Sequence, residues 1–256
     1  MTRSLHILLD GLIDYAGLFP PASLSMEEAV EKYDAYRRGE HKWMLGRFVV
    51  PAERLHEVPR NFSVSVLAKP DAMPAVDVLE IKASDEETIR TIAANRGSRT
   101  VYVEIDHERL LDAIADHDLR AKIRTGGVTA EAIPSADRVA SFIRGCRDRN
   151  LPFKATAGLH HPIRCVKPLT YEADAPQATM HGFLNVFIAA ALPRFATQIL
   201  LEDNRRAFAF DDGGLWWHDL RVVSEELARM RQEYAISFGS CSFEEPIADL
   251  KELGWL

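Results

Sequence analysis

The segment Leu151–Pro162 has the sequence Leu-Pro-Phe-Lys-Ala-Thr-Ala-Gly-Leu-His-His-Pro. Its first part has the pattern of a short strand, in which alternate residues share a face, so Lys154 and Thr156 point one way and the apolar residues the other. A lysine in a short apolar strand is costly to bury unless it is paired or has a chemical role. His160 and His161 follow a glycine turn at the carboxyl end of the strand. The role of the segment therefore depends on what the neighbouring strands bring to the same place.

Short apolar strands alternate with capped amphipathic helices through the first two thirds of the chain. The predicted strands cover residues 12–19, 42–50, 61–69, 77–82, 100–106, 119–125 and 153–157, and the predicted helices cover 25–38, 84–95, 107–115 and 135–148. This rhythm of strand, short loop and helix is typical of βα units with parallel strands. Over 256 residues it predicts an α/β fold, a single TIM-type (β/α)8 barrel covering residues 1–256. An open doubly wound sheet is the alternative.

The last third of the chain is less regular. Residues 181–193 form a predicted helix that is apolar nearly all round, so we expect it to be deeply buried or covered by another subunit. A β-hairpin at 206–218, turning at 212–214, is predicted as an insertion of about residues 205–219 before the last barrel strand. The remaining predicted elements are a helix at 224–233, the eighth strand at 236–239 and a terminal helix opened by Pro246.

Composition excludes several functional classes. The net charge of −7 argues against nucleic acid as a partner. The three cysteines, Cys146, Cys165 and Cys241, have no CxxC spacing and are odd in number, which indicates a reduced cytoplasmic protein. The apolar runs at 5–9 and 183–192 are too short for a secretory core or a bilayer span. We therefore expect a cytoplasmic protein that binds neither nucleic acid nor membranes.

Four consecutive predicted strands carry ionisable residues on one face and apolar residues on the other. The ionisable face comprises Glu80, Lys82, Glu104, Asp106, Lys122, Arg124 and Lys154, together with Tyr102 and Thr156. In a barrel the apolar set packs against the outer helices, and the ionisable set points inwards, towards the C-terminal mouth. Barrel interiors are normally filled by branched apolar side chains, so four cations and three carboxylates indicate a functional site. For any one strand, a structural ion pair or a solvated edge is a sufficient alternative.

The slight cationic excess predicts that a small anionic metabolite, a carboxylate or a phosphate, is the missing partner. Arg124 can hold such a group through two parallel hydrogen bonds. Gly126 and Gly127 leave backbone N–H groups free to help. Ser240 and Ser242 precede the terminal helix, where the loop after strand eight often binds phosphate. These residues are therefore predicted to bind substrate.

Several other polar residues have an ordinary structural explanation beside a functional one. His160 and His161 are candidates for a catalytic or binding role because of their place, with polar loop surface as the alternative. The start of a helix is a sufficient reason for His181. Cys241 is better explained as a small buried hydrophobe than as a reactive thiol.

Two of these strands resemble those of a known enzyme family. The sequence Phe-Lys-Ala-Thr-Ala-Gly at 153–158 resembles the strand that carries the Schiff-base lysine in deoxyribose-phosphate-type aldolases. Lys-Ile-Arg-Thr-Gly-Gly at 122–127 resembles the other lysine strand of that family. The two strands occur here in the reverse order, and the histidine pair has no counterpart in the family. The resemblance implies carbonyl chemistry on a barrel, with Lys154 as the nucleophile.

The leading hypothesis is a carbon–carbon lyase of the aldolase type that requires no cofactor. Lys154 would attack a substrate carbonyl as a neutral amine, its pKa lowered by Lys122 and Arg124. Glu104 or Asp106 would move protons. Arg124 would hold the anionic end of the substrate, and the remaining predicted substrate contacts are Glu80, Lys82 and His161.

Two further hypotheses remain open. In a divalent-metal-assisted lyase, isomerase or hydrolase, the ligands would be drawn from Glu80, Glu104, Asp106 and His160. Lys154 or Lys122 would then act as base or stabilise an enolate. In a non-catalytic barrel, the interior would bind an anionic metabolite, and the helix at 183–192 with the tryptophans at 216–217 would form an interface. We expect that interface to be a homo-oligomer contact.

Overall fold

The computed structural model describes all 256 residues, and three of its α-helices begin at a residue whose side chain caps the helix. The helices are α1 (Arg3–Leu9), α2 (Met26–Tyr36), α3 (Glu86–Asn95), α4 (Leu111–Asp116), α5 (Ala136–Asp148), α6 (Phe183–Ala191), α7 (Ala196–Leu201), α8 (Ser224–Glu233) and α9 (Glu244–Glu252). The three capped helices are α2, α3 and α5. The predicted capping box is present at α2, where the Ser25 hydroxyl accepts the Glu28 N–H and the Glu28 carboxylate accepts the Ser25 N–H. The Ser135 hydroxyl caps α5 in the same way.

The first seven strands of the chain run parallel. They are β1 (Ile13–Tyr15), β2 (Leu45–Pro51), β3 (Val64–Leu67), β4 (Val78–Ala83), β5 (Thr100–Ile105), β6 (Arg120–Arg124) and β7 (Phe153–Thr156). An α-helix follows each of β1, β4, β5 and β6, whereas a 3-10 helix joins β2 to β3 and a loop joins β3 to β4. β1 is much shorter than the predicted strand at 12–19, because the chain turns away after Tyr15 into a loop with two prolines.

Two small antiparallel sheets interrupt the barrel rhythm after β7. The first pairs β8 (Cys165–Pro168) with β9 (Gln177–Met180) and was not predicted, because its strands are exposed and lack an apolar alternation. The second joins β10 (Phe208–Phe210), β11 (Gly214–Trp217) and β12 (Leu220–Val223). The predicted hairpin is therefore confirmed, and a third strand extends it into a sheet.

The barrel closes through β13 (Ala235–Ser240), which lies between β7 and β1. Ser237 lies beside Lys154, and Gly239 lies beside Asp14. The strand order is β1, β13, β7, β6, β5, β4, β3, β2, a closed ring in which all neighbours are parallel. The (β/α)8 barrel is thus confirmed, and the open sheet is excluded.

The apolar core lies between the barrel and its helices, as the strand alternation predicts. Ile81, Val103 and Ala155 point outwards from their strands and are 0–1% exposed. The first eight residues of α6 are buried within the chain itself. That helix therefore needs no second subunit to cover it, and the homo-oligomer stays a prediction without support from this surface.

Two general properties can be stated directly from the fold. None of the helices combines the length and apolar character that crossing a bilayer requires. Cys146, Cys165 and Cys241 are all free thiols, and burial raises the pKa of Cys146 and of Cys241 above the usual range. The explanation of Cys241 as a small buried side chain agrees with its position.

The loops after β6 and β7 touch through two glycines. A Cβ on Gly126 would lie 2.8 Å from the Gly158 Cα, and a Cβ on Gly158 would lie 2.7 Å from the Gly126 Cα. Gly158 also has a φ of +74°, which favours glycine. Side chains are therefore excluded where these two loops cross at the carboxyl end of the barrel.

We expect Gly126→Ala to lower the free energy of unfolding by about 1–3 kcal/mol, the usual cost of forcing a methyl group into a packed contact. Gly39→Ala is the matched control, because its Cβ would meet only backbone oxygens at 3.5 Å and 3.6 Å. Urea denaturation of both variants measures the effect. Equal stabilities for the two variants would contradict the close contact.

Candidate functional site

A buried lysine on β7 lies at the centre of the barrel. The Lys154 Nζ lies 2.6 Å from the Asp14 Oδ2 and 2.5 Å from the Glu80 Oε1, and its side chain is 1% exposed. Strands β1 and β4 supply these two carboxylates. Lys154 therefore points into the barrel, as the strand alternation predicts, but towards the amino ends of the strands and not towards the C-terminal mouth.

A second lysine, on β6, shares one of those carboxylates. The Lys122 Nζ lies 2.6 Å from the Glu80 Oε2 and 2.8 Å from the Glu104 Oε2. Glu80 therefore bridges the two lysines, one through each oxygen. The five residues form a continuous buried chain, Asp14–Lys154–Glu80–Lys122–Glu104, which we call the ion chain.

Hydroxyl and backbone groups add further hydrogen bonds to two carboxylates of the ion chain, Asp14 and Glu80. The Ser65 hydroxyl donates to the Glu80 Oε1 at 2.6 Å, and the Ser237 hydroxyl donates to the Asp14 Oδ2 at 2.8 Å. The Arg47 backbone N–H donates to the Asp14 Oδ1 at 2.7 Å. Buried charges persist only when their hydrogen-bonding capacity is met in this way.

Asp14 is the residue that sequence reasoning missed. It lies between Ile13 and Tyr15 in a strand of three residues, all of them buried. The signal was available, since an acidic residue flanked by apolar neighbours is the pattern used for the other strands. Asp14 adds a fourth carboxylate to the three predicted ones, so that set of residues has four carboxylates and four cations.

The charges of the ion chain control its protonation. Burial alone would lower the pKa of Lys154, but attraction by Asp14 and Glu80 outweighs it and raises the pKa above the ordinary 10.5. Burial would likewise raise the pKa of Glu80, but Lys122 and Lys154 hold it well below 4.5. The expected lowering of the Lys154 pKa is therefore wrong, because its nearest partners are carboxylates.

The ion chain lies between two cavities. The cavity at the carboxyl ends of the strands, which we call the mouth cavity, has a volume of about 470 Å³. Its charged and polar lining includes Glu80, Lys82, Glu104, Lys122, Arg124 and His160. Lys154 does not line this cavity but faces a second one at the amino ends of the strands. The lysine that meets the mouth cavity is therefore Lys122.

Arg124 is the least committed cation of the mouth cavity. Its side chain is 50% exposed, and its Nη1 lies 3.9 Å from the Glu104 Oε1, beyond hydrogen-bond distance. Lys82, by contrast, lies 2.9 Å from Asp106, and both of these side chains are 60% exposed. Asp106 is on the rim and does not line the cavity, so its predicted part in proton transfer has no geometric support.

The two histidines both line a cavity next to the mouth cavity but pair with different carboxylates. The His160 Nδ1 lies 3.1 Å from the Glu245 Oε2, which also accepts a 2.8 Å hydrogen bond from Tyr171. Burial would raise the pKa of Glu245, but hydrogen bonds from His160 and Tyr171 together with attraction by the two histidines outweigh it and lower the pKa. His161 instead pairs with Asp249 at 2.6 Å and lines a neighbouring cavity of about 390 Å³. His161 therefore does not lie at the mouth, where it was predicted.

The predicted anion-binding loops take other roles. Gly127 lines the mouth cavity, but Gly126 packs against the backbone of the neighbouring loop. The Ser242 hydroxyl accepts the Glu245 N–H at 3.1 Å, and the Ser240 hydroxyl accepts the Ser242 N–H at 3.3 Å. The two serines are occupied in holding the start of α9 and do not line the mouth cavity.

The proposed metal ligands are not brought together. No group of three or more histidine, cysteine, aspartate or glutamate side chains has a geometry that could hold a metal ion. Glu80 and Glu104 face lysines, Asp106 pairs with Lys82 on the rim, and His160 pairs with Glu245. The side chains in the barrel therefore do not fit the metal-assisted hypothesis.

Comparison with known proteins adds little to this picture. No protein-family model and no curated protein matches the chain. One solved structure that matches is a lysine/ornithine decarboxylase complexed with cadaverine from Vibrio vulnificus, at 13% identity and a TM-score of 0.37. The match covers 60% of this chain and 48% of the decarboxylase, so the chain spans about half of that protein. We take no activity from a likeness of this size.

We expect Glu80→Gln to lower the free energy of unfolding at neutral pH by about 3–5 kcal/mol, because it leaves two buried lysines short of a carboxylate. Asp106→Asn is the matched control, since it breaks an ion pair whose side chains are 60% exposed and should cost less than about 1 kcal/mol. Urea denaturation measures both. Similar losses of unfolding free energy in the two variants would mean that the ion chain stabilises the fold no more than an exposed ion pair does.

The pH dependence of stability follows from the same pKa shifts. Because the pKa of Glu80 lies below 4.5 in the folded protein, the stability that its ionised carboxylate contributes is fully present above pH 4.5. That stability is lost as the pH falls towards the folded-state pKa. Because the pKa of Lys154 lies above 10.5, its contribution is complete below pH 10.5 and is lost at higher pH. The stability gap between wild type and Glu80→Gln should therefore narrow below pH 4.5, as measured by urea denaturation at several pH values.

Proposed function

We propose that the protein is an enzyme that acts on a small anionic carbonyl compound in the mouth cavity, as a carbon–carbon lyase in which Lys122 supplies the amine. The observation that carries the proposal is the position of Lys122, between Glu80 and Glu104 in the wall of a cavity that also exposes Arg124. Barrel enzymes place their chemistry at this end of the strands. The resemblance to lysine strands of Schiff-base aldolases agrees with the same reaction class.

Lys122 is a better candidate for the amine than Lys154. Lys154 faces the second cavity, at the amino ends of the strands, so a substrate in the mouth cavity does not reach its amine. Lys122 meets the cavity, and the Glu104 carboxylate at 2.8 Å can accept its proton. The choice between the two lysines as the source of the amine rests on the cavity that each side chain faces. The order of their strands along the chain carries less weight.

The reaction begins when the neutral amine of Lys122 adds to the carbonyl carbon. Loss of water from the carbinolamine leaves an iminium ion. Removal of the proton from a hydroxyl on the β-carbon then breaks the carbon–carbon bond, and the electron pair moves into the iminium to form an enamine. Protonation of the enamine and addition of water release the second product and restore the amine.

The surrounding residues divide the proton transfers and the binding. Glu104 holds and returns the lysine proton. His160 lines the same cavity and is oriented by Glu245, so it is placed to take the hydroxyl proton of the substrate. Arg124 is free to hold the carboxylate or phosphate of the substrate, because its own contact with Glu104 is long.

A second candidate function keeps Lys122 charged. The Lys122 Nζ lies 2.6 Å and 2.8 Å from two carboxylates, and an ammonium group in this place can stabilise an enolate oxygen without forming a covalent bond. His160 would then remove the proton next to the carbonyl. Solvent deuterium exchange into a keto acid without any borohydride adduct would distinguish this reaction from the Schiff-base route.

Borohydride trapping with a panel of keto acids and phosphosugars should attach the substrate carbon skeleton to Lys122. Mass spectrometry of the digested protein locates the adduct, and the wild-type chain suffices for this assignment. Lys122→Met should abolish the adduct, while Lys42→Met, which removes an exposed lysine away from the cavity, should leave it unchanged. An adduct on Lys154, or no adduct with any member of the panel, would contradict the proposal.

Arg124→Gln should raise the keto-acid concentration needed for half-maximal trapping by about tenfold or more, because it removes a charge-assisted contact. Trapping of the methyl ester of the same keto acid should change little, since the ester has no carboxylate. Arg205→Gln serves as the control, because Arg205 is exposed and outside the cavity. Equal effects on acid and ester would exclude Arg124 as the carboxylate contact.

A further inference from the structure

The second cavity lies at the opposite end of the barrel from the mouth. It has a volume of about 460 Å³ and is lined at the amino ends of the strands, and we call it the N-terminal cavity. Its polar lining includes Asp14, Arg47, Ser65, Tyr102, Arg120 and Lys154. None of its lining residues also lines the mouth cavity, so the ion chain separates two independent spaces.

Two half-buried arginines in this cavity have no carboxylate partner. The Arg120 Nη1 donates to the Tyr102 hydroxyl at 3.0 Å, and its guanidinium carbon lies 5.6 Å from the Tyr102 ring centroid. The Arg47 side chain makes one long hydrogen bond, 3.5 Å to the Val64 carbonyl. A guanidinium group has five N–H donors, so most donors of both residues are unused by the protein.

The carboxylate that lines this cavity does not neutralise the arginines. The Asp14 Oδ1 accepts the Arg47 backbone N–H, and its Oδ2 accepts from Lys154 and Ser237. Lys154 is in turn neutralised by Asp14 and Glu80 within the ion chain. Arg47 and Arg120 therefore leave uncompensated positive charge in a partly enclosed space, which is costly unless an anion or water meets it.

We infer that the N-terminal cavity is a binding site for a small oxyanion, a phosphate or carboxylate group held by Arg47 and Arg120. Guanidinium groups bind such oxygens through pairs of parallel hydrogen bonds. The Tyr102 hydroxyl is fixed by Arg120 in the same cavity and can donate a third hydrogen bond. This site lies apart from the mouth cavity, so it does not depend on the proposed carbonyl chemistry.

Calorimetric titration of the full chain with inorganic phosphate, and separately with citrate, tests the inference. Arg47→Gln and Arg120→Gln should each weaken binding by about tenfold or more, since each removes charge-assisted hydrogen bonds. Arg47→Lys keeps the charge but loses the paired geometry, so its affinity should lie between those of wild type and Arg47→Gln. Arg205→Gln should bind like wild type, because it removes an unpaired arginine from the exposed surface.

Arg124→Gln separates the two ends of the barrel, and it should leave binding in the N-terminal cavity unchanged. Phosphate should also raise the melting temperature of the wild type but not of the Arg47→Gln, Arg120→Gln double variant, whose fold is checked by circular dichroism. The inference is overturned if neither anion binds the wild type, if the double variant binds as tightly as wild type, or if Arg124→Gln alone abolishes binding. Borohydride trapping at Lys122 reads the mouth cavity independently of all three outcomes.

Discussion

The contact between Lys154 and its two carboxylates is the constraint on which the barrel interior depends. An ammonium group that is 1% exposed is tolerated only because Asp14 and Glu80 lie within 2.6 Å of its Nζ. Glu80 in turn pairs with Lys122, and Lys122 pairs with Glu104. Each buried charge of the ion chain therefore has a partner of opposite charge. The interior that most barrels fill with branched apolar side chains is occupied by charge here, and the apolar core lies outside the strands.

The ion chain also explains why two lysines at the same register position differ. Lys122 and Lys154 lie side by side on β6 and β7. Lys154 reaches across to β1 and faces the N-terminal cavity, whereas Lys122 reaches towards β5 and faces the mouth cavity. The likeness to aldolase strands identifies both residues but cannot tell them apart, because the difference arises from the partners that the closed barrel supplies.

The predictions from sequence succeeded where the signal is local. Strand alternation located the inward face of β4 to β7, capping residues located α2 and α5, and an aspartate–glycine turn located the hairpin. The failures involve partners that are far apart in the chain. Asp14 lies 140 residues from Lys154, so its place in the sequence does not show that the two side chains meet. The direction of the Lys154 pKa shift was wrong for the same reason, since it depends on that distant carboxylate. Ser240 and Ser242 were misplaced because the same residue types also hold a helix start.

The position of Asp14 has a consequence for how the chain is made. Its carboxylate is completed by Lys154 and by Ser237, which follows it by 223 residues. During translation the acidic first strand therefore emerges long before either partner exists. Because burying an unmatched carboxylate costs free energy, we expect the interior around Asp14 to lose its water only after β7 and β13 have joined the barrel. Formation of this buried carboxylate site is thus tied to the arrival of β13 beside β1.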